Sequence, residues 1–75
     1  MTKKKIEEIE DVYNLFYKLY KKGKDNAFTD YYLGRCNGMM HILHLFGYVL
    51  KENGKIVDDT DGEHIEYKTF KVVKK

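Results

Sequence analysis

Apolar residues recur at helical spacing from residue 3 to residue 22. At about 100° per residue, Ile6, Ile9, Val12, Tyr13, Leu15, Phe16, Tyr17, Leu19 and Tyr20 share one sector. Glu7, Glu10, Asp11, Asn14, Lys18, Lys21 and Lys22 fill the rest of the wheel. Acidic residues crowd the early turns, and Lys18, Lys21, Lys22 and Lys24 crowd the end, a distribution that complements the helix dipole. Gly23 is the expected stop. The apolar sector is roughly 200° wide, about twice what one core contact requires, so a second surface is expected to cover part of it.

Lys24 to Phe28 reads as a connection, followed by a second helix over about 30–46 with Thr29 as N-cap, Asp30 in its first turn and Gly47 behind its end. Tyr32, Leu33, Cys36, Met39, Met40, Leu43 and Phe46 share one face of this helix. Tyr31, Gly34, Gly38, Ile42 and Leu45 form a second apolar strip, and Asn37, His41 and His44 form a polar strip between the two. A glycine inside a helix costs roughly 1 kcal/mol relative to alanine. Close approach of another backbone is therefore the expected motive for Gly34 and Gly38.

The last third of the chain changes period. Residues 48–52 and 55–58 flank Asn53-Gly54, the dipeptide suited to a type I′ turn, so the spacing predicts a hairpin over about 48–58. Asp59-Thr60-Asp61-Gly62 marks a further turn, and residues 63–73 have the composition of a third strand. Ile65 and Tyr67 stand on one parity while Phe70 and Val72 stand on the other, which predicts a bulge near Thr69. The pattern as a whole predicts one α+β domain over residues 1–75, in which two antiparallel helices precede a small antiparallel sheet (ααβββ).

Size sharpens that picture. With 75 residues the chain buries only about 60% of its unfolded surface, and small domains usually draw extra stability from disulfides, metals or assembly. Cys36 is the only cysteine and has no partner within the chain, so assembly is the expected supplement and a cytoplasmic setting the expected one. Met39 to Leu50, the most apolar stretch, is interrupted by His41, His44 and Gly47 and is too short to span a bilayer. The basic start Lys3-Lys4-Lys5 runs into Glu7, Glu8, Glu10 and Asp11 rather than the apolar run of a signal peptide.

Chemical motifs are sparse. On a straight helix His41 lies about 140° around from Cys36, and His44 lies about 12 Å along it, so neither shares a site with the thiol. His41 and His44 could offer two metal ligands where zinc needs three or four. Asp58 to Glu63 resembles a calcium loop only superficially, since Val57 and Lys68 would occupy its first and last ligand positions. No phosphate cradle, nucleophile elbow or paired-carboxylate motif occurs. No catalytic residue, metal or cofactor is expected, and Asn37, His41 and His44 are expected to be polar contacts.

Two kinds of binding remain. The formal net charge is +2, and 13 of the 14 basic residues are lysines, Arg35 being the exception. Lys18, Lys21, Lys22, Lys24 and Arg35 would be the contacts of a small nucleic-acid-binding regulator, although DNA readers usually carry a stronger basic footprint. The seven tyrosines exceed what so small a core can bury with satisfied hydroxyls, and tyrosine favours protein interfaces. Tyr13, Tyr17, Tyr20, Tyr31, Gly34, Gly38, Ile42 and Leu45 are the expected interface residues, with a symmetric homodimer through the glycine strip as one use of them.

Residues 31–40, Tyr-Tyr-Leu-Gly-Arg-Cys-Asn-Gly-Met-Met, and their continuation through Leu43-His44-Leu45-Phe46-Gly47-Tyr48 resemble a helix of small proteins encoded by phages and prophages of AT-rich bacteria. That resemblance implies an accessory protein that binds and modulates a host protein, counter-defence inhibitors such as anti-CRISPRs being one class. Many such inhibitors are acidic DNA mimics, a mode to which the near-neutral charge is unsuited.

Overall fold

The computed structural model describes residues 2–22, 27–59, 62 and 64–75. Its elements run α1 (Lys3–Lys22), α2 (Ala27–Leu45), β1 (Tyr48–Asp58) and β2 (Ile65–Lys74), an α+β arrangement of two helices followed by a two-stranded antiparallel sheet. The early turns of α1 meet the late turns of α2, as Ile9 and Val12 line one groove with Met39, Ile42 and Leu43. Its late turns meet the start of α2, as Phe16 packs on Tyr31 and Tyr32. The helices are thus antiparallel.

Local chemistry explains the helix ends. Thr2 caps α1, its hydroxyl accepting the Lys5 N–H at 3.2 Å. The first turn that follows is basic and the acidic residues begin one turn later, so the dipole is complemented only at the C-terminal end, by Lys21 and Lys22. α2 begins at Ala27, earlier than a Thr29 N-cap allows. Alanine is the strongest helix former and no breaker stands between it and Thr29, so Thr29 falls inside the first turn, with Asp30 beside it. Gly47 ends α2 as expected, at φ +87°, its N–H bonding the His44 carbonyl at 3.1 Å. The expected stop at Gly23 and the connection through Lys24 lie outside the described residues.

The C-terminal third departs from the expected hairpin, and two strands form rather than three. Asn53-Gly54 does not turn the chain back. Residues 48–52 pair with Phe70–Lys74, and Lys55–Asp58 pair with Ile65–Lys68, nine residue pairs in one ladder. A hairpin folded at Asn53-Gly54 would bring at most four pairs together, and the longer ladder wins. The ladder slips between Glu52 and Lys55, so that Asn53 and Gly54 together oppose Thr69. Gly54 takes φ +110°, and the Thr69 hydroxyl donates to the Asn53 carbonyl at 3.3 Å. The irregularity at Thr69 is therefore real, with its extra residue on β1. Of the expected turn at 59–62, Gly62 shows φ +72°, while Thr60 and Asp61 lie outside the described residues.

The core is small: among the described residues, Tyr13, Cys36, Leu43, Tyr67 and Val72 are the buried hydrophobic ones. Phe70 sits between α1 rings, with its centroid 5.4 Å from that of Tyr13 and 4.9 Å from that of Tyr17, both edge to face. The edge of β2 that faces away from β1 lies against α1. There the Asn14 carboxamide accepts the Phe70 N–H at 2.8 Å and donates to the Phe70 carbonyl at 3.0 Å. One turn earlier, a Glu10 carboxylate oxygen accepts the Val72 N–H at 3.1 Å. Two helix side chains thus imitate the next strand.

Replacing Asn14 by alanine removes two hydrogen bonds and leaves a part-buried N–H and C=O without those partners. Unfolding free energy in urea should fall by about 2–3 kcal/mol. Asn14→Asp can accept but not donate, and should fall between the two.

Candidate interaction surface

Each element presents its residues as its backbone period dictates, and α2 shows the consequence most clearly. Cys36 and Leu43 point into the core. Their opposite pole carries Tyr31, Gly34, Gly38, Ile42 and Leu45, all exposed, with Tyr31 at 53%, Ile42 at 51% and Leu45 at 70%. An added Cβ at Gly34 or Gly38 would meet nothing within 4 Å, so no backbone of the same chain approaches the glycines. α2 carries apolar residues on two sides of its polar strip and so has little amphipathic asymmetry, unlike α1. A helix of that kind is ordinarily buried on both sides.

Two grooves flank this face. One, of about 360 Å³, is walled by Ile9 and Val12 of α1 and Met39, Ile42 and Leu43 of α2, with Lys5 and Glu8 at its mouth, paired at 3.5 Å. The other, of about 510 Å³, lies between α2 and the start of β1, where Asn37, Met40, His41 and His44 face Tyr48, Val49 and Leu50. His44 is held at the rim by the last residue: the Lys75 ammonium lies 3.1 Å from His44 Nε2 and donates to the His44 carbonyl at 3.1 Å. His64 is remote from both, its Nδ1 2.8 Å from Asp59. Among the described residues no three His, Cys, Asp or Glu side chains gather as a metal site would require.

The expected interface residues separate into three groups. Tyr13 is 5% exposed and belongs to the core, because its ring is drawn under Phe70; it offers no surface to a partner. Tyr17 and Tyr20 are half-buried beneath the Lys21 ammonium, which stands 5.8 and 5.6 Å from their ring centres. Tyr31, Gly34, Gly38, Ile42 and Leu45 remain together on one exposed helix face.

The basic residues do not form one free patch. Lys18 and Lys22 both reach the Asp58 carboxylate, at 3.6 and 3.1 Å, and the Arg35 guanidinium lies 5.6 Å from the Phe16 ring and 6.0 Å from Tyr31. Lys24 lies outside the described residues. No helix among the described residues is long and apolar enough to cross a membrane.

Asn14 and Glu10 stand outside the apolar sector of the α1 wheel, yet they hold the sheet. A short uncharged amide among the charged Glu10, Asp11 and Lys18 on the helical wheel is the only mark the sequence gives of it.

Burial raises two pKa values. Cys36, 3% exposed, has its thiol pushed up by desolvation. Tyr13 is pushed up to about 12, first by desolvation and then by the neighbouring Cys36 and Tyr17. The unfolded phenol ionises near 10 and the folded one later, so the Tyr13 contribution is complete below pH 10 and is lost as pH rises toward 12. Stability measured by urea denaturation should fall over that window, and Tyr13→Phe should flatten the fall. A variant whose slope matches that of the wild type would contradict this assignment.

Comparison with protein families, curated proteins and solved structures gave no match.

Proposed function

We propose that this chain is a non-catalytic protein-interaction module, an accessory protein of a phage or other mobile element that binds a host protein and modulates it. Counter-defence inhibition of the anti-CRISPR kind is one form such modulation takes. One observation carries the reading: twelve large apolar side chains are exposed among the described residues, against five buried hydrophobic ones. Contiguous exposed apolar surface rimmed by polar groups is what protein docking uses. The groove between α2 and β1 fits that description, lined by the apolar Met40, Val49 and Leu50 together with Asn37, His41, His44 and Tyr48. Methionine adapts its shape to a partner more readily than branched side chains do.

Tagged wild-type protein and Met40→Glu should be compared as baits in host lysate at moderate and high salt. Met40 is exposed, so the substitution leaves the core intact. A discrete host protein retained by the wild type at both salt concentrations and lost with Met40→Glu supports docking in this groove. Retention of nucleic acid that disappears steeply with salt would instead favour a regulator acting through Lys18, Lys21, Lys22, Lys24 and Arg35.

A further inference from the structure

We propose that the outer face of α2 is the contact for a second copy of this chain, with the two α2 helices antiparallel about a twofold axis at Gly38. The proposal goes beyond host-protein binding and stands with or without it.

Surface area gives the first reason. A folded monomer of 9.0 kDa is expected to expose about 4,850 Å², whereas this chain exposes 5561 Å². The excess, about 700 Å², is close to the roughly 800 Å² per partner that a standard stable interface removes from water. The chain is also thin, 17 Å along its shortest axis, and no second layer among the described residues covers the outer side of α2.

Self-complementarity gives the second reason, and it selects a copy over an unrelated partner. At 1.5 Å rise per residue, Gly34 and Ile42 lie about 6 Å to either side of Gly38, and Tyr31 and Leu45 about 10.5 Å to either side. A twofold axis at Gly38 therefore sets Ile42 level with Gly34 of the partner subunit, Leu45 level with Tyr31 of the partner subunit, and Gly38 against its own equivalent. The bulky exposed residues of one helix meet the bare backbone or an open ring of the other. The space above both glycines is empty to 4 Å, as such an approach requires, and Arg35 and His41 flank the seam without placing a carboxylate in it.

The competing surface is β1. Its residues 51–57 are all exposed, but Lys51, Lys55 and the bulge at Asn53-Gly54 are the features by which strands resist edge-to-edge pairing.

Sedimentation equilibrium at low to high micromolar concentration tests the proposal, with Gly38→Leu and Leu45→Glu as variants. The wild type should sediment at twice the 9.0 kDa chain mass. Both variants should sediment as folded monomers with unchanged circular dichroism, since neither position contributes to the core. Gly38→Leu is the stricter test, because leucine favours the helix over glycine and can harm only a contact outside the chain. A wild type that stays monomeric, or a Gly38→Leu protein that stays dimeric with a raised melting temperature, would overturn the proposal. Neither outcome bears on the groove at Met40, whose host-protein test is read separately.

Discussion

The structure turns on the Asn14 carboxamide. Two strands cannot make a stable sheet alone, and β2 has backbone groups that face away from β1. By pairing with both the N–H and the C=O of Phe70, Asn14 gives that edge a substitute neighbour, and Glu10 extends the substitute to Val72. The same register lays Tyr13 and Tyr17 over the Phe70 ring. Helix, sheet edge and aromatic core are thereby fixed in one step, and α2 is left to close the other side of α1.

This economy explains what could be read from the sequence. α1 was legible to its ends because a wide apolar sector at helical period has few competing readings, and Gly47 was legible because a positive φ at a helix end selects glycine. The sheet was harder. Asn53-Gly54 is the strongest local hairpin signal in the chain, yet a ladder with β2 over both halves of β1 outweighs it, a choice between non-local partners that no local window contains. The parity slip at Thr69 did register the irregularity, from the opposite strand. Asn14 was illegible in its role, because a polar residue satisfying a strand edge and one facing water occupy the same arc of a helical wheel.

Of the candidate surface, the α2 face was legible and Tyr13 was not. Tyr31, Gly34, Gly38, Ile42 and Leu45 share a pole by periodicity alone, and their exposure follows from Cys36 and Leu43 occupying the opposite one. Tyr13 shares its arc with Tyr17 and Tyr20, and only the position of Phe70 decides which ring is covered. A thin two-layer fold with a helix apolar on both sides leaves surface that its own chain cannot cover, and the readings as an interaction module and as a self-associating one both rest on that remainder.

Hydrogen exchange tests the central claim most directly. If Asn14 and Glu10 close the edge of β2, the Phe70 and Val72 amides should exchange as slowly as the ladder amides of Lys71 and Val73, and Asn14→Ala should release Phe70 first. Fast exchange at Phe70 and Val72 beside slow exchange at Lys71 and Val73 would show an open edge, and would contradict the account.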